Sequence, residues 1–214
     1  MKNRREALAT LAGMVIAPNL FANNANAAPL SGAALNDAIN RASAAINALG
    51  RIEGSFVQTN PNRSSNSGKF WLNRPGKMRF EYDSPSPLLL VADGSNMIIV
   101  DKRLRTTERY PLRTTPLYFL LKQGVNLARD VNVASAQIND GRLILALRDR
   151  QNQANGELRI VFSPNMQLEE WAIRDRQNRI TNVRINNVRS SGALPSNHFS
   201  VPMPRRTGAP SKGG

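Results

Sequence analysis

Cysteine is absent from the 214 residues, and histidine occurs once, at His198. The first absence excludes disulfides, thiol nucleophiles and an amino-terminal cysteine able to carry lipid. The second excludes a zinc site built on several histidines, so no metal or cofactor is expected. Acidic residues are also few, 15 against 29 basic ones, for a formal charge of +14. That excess suits an anionic partner such as nucleic acid, lipid headgroups or an acidic protein, and it serves plain solubility equally well. No apolar run reaches the roughly 20 residues that a membrane helix requires. The longest, Ala7 to Phe21, is interrupted by Pro18.

What is present begins with a three-part leader. Lys2, Arg4 and Arg5 precede that apolar stretch, and the small residues Ala25 and Ala27 suit cleavage after Ala27. Residues 1–27 therefore read as an export signal, with the adjacent arginines fitting the twin-arginine route and the general secretory (Sec) route left open. Cleavage would leave a soluble protein outside the cytoplasm: one domain over residues 28–204, then a flexible tail rich in proline and glycine over residues 205–214.

Between Ser31 and Gly50, Leu35, Ala38, Ile39, Ala42, Ala45, Ile46 and Leu49 recur at helical spacing, with Ser31 as cap and Gly50 as stop. The period then changes to two. "IEGSFVQTN", "KFWLN", "KMRFEY", "LLLVA", "NMIIV" and "LRTTERY" read as strands, "TTPLYFLLKQ" as a short helix starting at Pro116, and "VNVASAQI", "RLILALR", "ELRIVF", "LEEWAIRD" and "RITNVRINNV" as five further strands. Turns such as Pro75-Gly76, Asp93-Gly94 and Asp140-Gly141 separate them at regular spacing. About eleven strands with no βαβ rhythm predict an antiparallel meander, either a barrel or a strongly curved sheet.

Eight strands already close around an interior that side chains just fill, so eleven call for helices, a ligand or both inside. The candidate interior set is Phe56, Phe70 or its neighbour Trp71, Leu72, Met78, Phe80, Tyr82, Leu90 and Ile98, joined by Leu117, Leu120 and Leu121 from the short helix. Alternation alone does not distinguish a filled core from a lined cavity.

The ordered segment "NRPGKMRFEYDSPSPLLLVADG", a strand, "DKRLRTTERYPL" and "TPLYFLL" resembles the periplasmic outer-membrane lipoprotein carriers of the LolA family. With the preceding helix and the later "LEEWAIRD…ITNVRINNV", the resemblance spans roughly residues 31–202. It implies a mainly β fold with helices: an unclosed antiparallel β-barrel with a helical lid over an apolar cavity. That cavity would take the acyl chains of lipoproteins released by an inner-membrane ABC transporter. The cargo would pass to an outer-membrane receptor or directly to the acceptor membrane, and the carrier would act as a monomer.

In the resemblance Arg74 bonds backbone carbonyls of the lid and keeps the empty form closed, and Met78 and Phe80 take aromatic cavity positions. Methionine departs from that pattern, although a flexible thioether suits disordered chains. On this reading Met78→Glu or Phe80→Glu weakens uptake while the protein still folds. The missing cysteine favours carrier over receptor, since the receptor is itself anchored through one.

Other functions fit less well. Asp83, Asp93 and Asp101 fall at turns, where aspartate bonds its own backbone, and His198 near Ser200 lacks a third member or a nucleophile elbow, so no enzyme is expected. "DKRLRTTERYPLR" carries five basic residues around Tyr110, but export argues against nucleic acid, and an anionic membrane suits the charge better. A carrier of another lipid or hydrophobic ligand on the same fold is the alternative. A periplasmic lipoprotein sensor would add a carboxy-terminal domain, whereas this sequence ends soon after Val201.

Overall fold

The computed structural model describes residues 28–201 except residue 152, so the expected export segment and carboxy-terminal tail lie outside the described residues. The amphipathic stretch forms helix α1, Gly32–Ala48. Ser31 stands at its N-cap in extended geometry, yet its side chain makes no capping bond. Gly50, at φ +51°, turns the chain out of the helix, a left-handed conformation that glycine adopts without steric penalty.

Eleven strands follow the period-two segments closely: β1 (Arg51–Thr59), β2 (Ser65–Asn73), β3 (Lys77–Tyr82), β4 (Leu88–Asp93), β5 (Asn96–Asp101), β6 (Thr106–Pro111), β7 (Val131–Asn139), β8 (Arg142–Asp149), β9 (Glu157–Phe162), β10 (Leu168–Arg174) and β11 (Ile180–Ser190). They form one antiparallel sheet in the order β6-β5-β4-β3-β2-β1-β11-β10-β9-β8-β7. Two meanders thus join where β1 pairs with β11, with Phe56 opposite Ile185. β6 is left as an edge of the sheet, the segment before α1 meets β7 where Pro29 bridges Gln137 and the Leu30 N–H donates to Ala136 O at 2.8 Å, and the barrel is open between these two outer strands.

The chain linking those edges carries a 3₁₀ turn (Leu112–Thr114) and two single-turn helices, α2 (Tyr118–Leu121) and α3 (Leu127–Asp130). The helix expected from Pro116 is therefore much shorter than its apolar run, because Lys122 swings to an extended ψ of 152°. α3 has no counterpart in the sequence reading. Its cap is Asn126, whose side chain accepts the Arg129 N–H at 3.1 Å.

The concave face holds the core. α1 contributes Ala38, Ile39, Ala42 and Ile46, and the sheet contributes Phe56, Phe70, Leu72, Met78, Phe80, Leu145, Ile160, Phe162 and Trp171. Two glycines make room for the rings. Gly54 lies opposite Phe70 and Gly68 opposite Phe56. A Cβ on Gly68 would stand 2.7 Å from the Phe56 ring, so bare backbone is what lets that ring cross the neighbouring strand. Phe80 on β3 and Trp171 on β10 bring their ring centroids to 5.8 Å although β2, β1 and β11 lie between them in the sheet. Only a strongly curled sheet allows that contact.

Candidate functional site

The register sorts the proposed lining residues by face. Leu72 pairs with Met78 and Phe70 with Phe80, and Phe80 pairs with Leu90. These belong to the concave core with Phe56, Leu117 and Leu120, while Tyr82 and Leu90 pack against it half-buried. Ile98 does not join them. It pairs with Val91, which pairs with Arg79, so it lies on the convex face beneath the segment whose His198 carbonyl accepts from Arg79 at 2.9 Å. Met97, one residue earlier, takes the interior position, opposite Ala92. "NMIIV" is apolar on both faces, which hid its phase. Trp71 likewise faces outward, edge-on to His198 at 4.8 Å, so that histidine is half-buried against an indole instead of free on the surface.

At the level of Phe80 the interior is filled by rings. Phe56 lies 4.6 Å from Phe80 and 5.0 Å from Tyr82, and Phe70 lies 5.6 Å from Phe80. Met78 and Phe80 retain 1% and 3% exposure. A glutamate at either position would bury a carboxylate among rings and unfold the protein, so weakened uptake with a retained fold is not the expected outcome there. Tyr82 donates to Gln58 Oε1 at 2.7 Å, and burial pushes its phenol up to about 12.

The segment bridging the sheet edges is fastened at several points. Arg74 Nη2 donates to the Lys122 carbonyl at 2.5 Å, just after α2, and reaches Asn47 Oδ1 of α1 at 3.4 Å. The Gly76 N–H donates to the Leu121 carbonyl at 2.8 Å. Asn47 both donates to Val125 O at 2.8 Å and accepts the Val125 N–H at 3.0 Å. Ser43 Oγ accepts the Leu127 N–H at 3.0 Å. Helix α1, the β2–β3 turn and residues 121–127 are thereby tied together.

The Arg74 tie is only partly used. Its Nε and Nη1 are buried without a hydrogen-bond partner among the described residues, and desolvation lowers its pKa from the usual arginine value. A charge-assisted bond contributes about 1.5–3 kcal/mol, while each unpaired buried donor costs about 1–3 kcal/mol. The guanidinium therefore holds the closed form by less than its fork would allow. Such a tie can be opened.

Beside α1 on its other flank the surface sinks into a groove of about 870 Å³, with Ala45, Ala48, Leu49, Met166, Leu168 and Ile185 among its lining and Arg41 and Arg189 at its rim. None of these residues belongs to the candidate interior set, although Ala45 and Leu49 lie on the apolar face expected of the helix. Leu168 and Ile185 sit in alternating strands and were legible as inward-facing, but nothing local marks α1 as leaving a gap beside them. A smaller, polar hollow of about 220 Å³ near α2 and α3 is lined by Lys122, Asp130, Arg150 and others.

In that hollow Asp130 closes the base of the fastened segment. It accepts from Lys122 Nζ at 2.5 Å, from Arg129 Nε at 2.8 Å and from the Asn126 N–H at 3.0 Å. Burial pushes its carboxyl up, but the bonds from Arg129, Lys122 and Asn126 outweigh this and leave it lowered to about 2. A depressed carboxylate contributes stability that is present above its unfolded value and lost as pH falls through the folded one. Acid titration from pH 4 to pH 2 is thus expected to loosen residues 122–130, seen as a collapse of the Asn126 amide shift in NMR. Asp130→Asn should abolish that transition.

The pattern described as "Outer membrane lipoprotein carrier protein LolA" matches residues 47–202. The chain belongs to the LolA family. An outer-membrane lipoprotein carrier protein from Chromobacterium violaceum is 28% identical over 187 residues, 84% of this chain and 90% of that one. One from Legionella pneumophila (strain Corby) is 28% identical over 170 residues, 75% of this chain and 83% of that one. Among solved structures, a Vibrio parahaemolyticus domain described as outer membrane lipoprotein-sorting has a TM-score of 0.50 at 10% identity, covering 76% of this chain and 94% of that one. That likeness concerns the fold alone. The LolA match begins inside α1 and runs past β11, so it takes in Arg74, the fastened segment and both meanders. Among the described residues no helix is long and apolar enough to cross a membrane, and no cluster of His, Cys, Asp or Glu is arranged to hold a metal.

Proposed function

We propose that this LolA-family chain is a periplasmic carrier that takes the acyl chains of lipoproteins released from the inner membrane and delivers them to the outer membrane. It is a chaperone in this role and not an enzyme. Residues 1–27 direct export and are removed, and residues 28–204 form the carrier domain. Cargo arrives from a lipoprotein-releasing ABC transporter of the inner membrane and leaves to an outer-membrane receptor or to the acceptor membrane itself, the carrier acting as a monomer.

The observation that carries this reading is an apolar interior covered by α1 and α2 and held by a breakable tie at Arg74, beside an open groove lined by both apolar and polar side chains. Each methylene withdrawn from water gains about 0.8 kcal/mol, so a multi-chain anchor is insoluble alone. Against a bilayer the gain nearly vanishes. A carrier needs that near-balance, with a cover whose closure tips it toward release. Acyl chains enter along the groove, shift α1 together with the segment at residues 121–127 tied to it, and lie against Phe56, Phe70, Leu72, Met78, Phe80, Tyr82, Leu90, Leu117 and Leu120.

Ala48 is exposed in the groove. Ala48→Trp is therefore expected to block lipoprotein release from inner-membrane vesicles while leaving the melting temperature unchanged. Full uptake by this variant would remove the groove from the route. Native mass spectrometry of the exported protein tests the reading as a whole: diacylated or triacylated polypeptides freed on denaturation support it, and a free lipid in their place makes the chain a carrier of something else.

A further inference from the structure

Strand β6 and the turn that joins it to β5 are not used by the interior. All six residues of β6 are exposed on both faces, and the turn before it carries Lys102, Arg103, Leu104 and Arg105. Leu104 is 65% exposed. A lone exposed leucine is ordinary, but this one is held in place at a tip. Asp101 Oδ1 accepts both the Arg103 and the Leu104 N–H at 2.9 Å, the Lys102 N–H donates to Pro87 O at 3.1 Å, and Arg105 at φ 56° completes the turn in the left-handed region. Among the described residues none of the three flanking cations enters an ion pair. The nearby acids are engaged elsewhere: Asp101 by those amides and Glu108 by the Tyr110 hydroxyl.

We infer that this tip is a docking point for an anionic bilayer surface, with Lys102, Arg103 and Arg105 resting on headgroup phosphates and Leu104 entering the acyl boundary. Unpaired cations alone would suit any polyanion. The rigidly presented leucine between them decides for lipid, because an anionic bilayer sets an acyl layer directly beneath a plane of phosphates. The inference goes beyond the carrier reading and stands without it, since it is tested on vesicles that contain no lipoprotein.

The protein is mixed with phosphatidylglycerol-containing vesicles and with neutral phosphatidylcholine vesicles, and partitioning is measured by sedimentation. Each cation at a membrane surface changes partitioning about fivefold, so Lys102→Ser/Arg103→Ser/Arg105→Asn is expected to lose about a hundredfold on the anionic vesicles. A control of equal charge, Arg41→Gln/Arg51→Gln/Arg176→Gln, should lose less than tenfold. Leu104→Ser should lose severalfold, and the indole emission of Leu104→Trp should shift to the blue on anionic vesicles. Absence of wild-type binding, equal losses from the two triples, or an unshifted indole would each overturn the inference. All these positions are exposed, so thermal melts are expected to be unchanged.

Discussion

Phe80→Ala is expected to destabilise the protein by about 3–5 kcal/mol, the usual cost of deleting a buried phenyl ring. Phe80 meets Phe56, Phe70 and Trp171, and Trp171 arrives from the opposite meander. The substitution therefore removes a contact between the two halves of the sheet across the interior, not merely a packing partner on the same meander. For a domain of this size the melting temperature should fall by roughly 10 °C, measured by circular dichroism. Phe70→Leu, which keeps most of the volume, should cost far less. A melting point within 2 °C of wild type for Phe80→Ala, on the order of 1 kcal/mol by the same scaling, would mean that the curl of the sheet does not depend on this contact.

Arg74→Leu is expected to leave folding nearly intact and to spoil the transport cycle. The variant loses the bond to the Lys122 carbonyl, and no other bond to that carbonyl is seen among the described residues. It also loses the cost of two unpaired guanidinium nitrogens. The net change in global stability should stay within about 1–2 kcal/mol, while the closed form alone is weakened. Uptake from inner-membrane vesicles should persist, and delivery to acceptor membranes should fall by about tenfold, the factor corresponding to a net change of about 1–2 kcal/mol. Amide exchange in residues 118–127 should quicken by a similar factor. Delivery equal to wild type would separate Arg74 from the cover altogether.

Both predictions rest on features legible to different degrees. The alternation of Met78, Phe80 and Tyr82 with Lys77, Arg79 and Glu81 placed β3 and assigned its faces, because side chains in a strand must point alternately and only one set is greasy. The same logic failed at Ile98. "NMIIV" has no polar partner set, so its phase depended on pairing with Val91 across the sheet. Helix α3 was illegible for a related reason. A single turn needs only a cap, and Asn126 is a cap because Ser43, Asn47 and Asp130 hold the chain around it. Two of the turn aspartates were predictable since their partners are two and three residues away, Asp93 with the Ser95 and Asn96 amides and Asp101 with those of Arg103 and Leu104, whereas Asp83 accepts from the Ser67 hydroxyl on the neighbouring strand.

The sequence alone determined eleven strands and one long amphipathic helix, because period and turn chemistry act over a few residues. Its ordered motifs also pointed to the LolA family. Tertiary structure alone decided that β1 meets β11, that Phe80 touches Trp171, that Arg74 uses one nitrogen of three, and that a groove remains beside α1. Those outcomes follow from how far the sheet curls and where the helix comes to rest on it, and both are set by contacts between residues far apart in the chain.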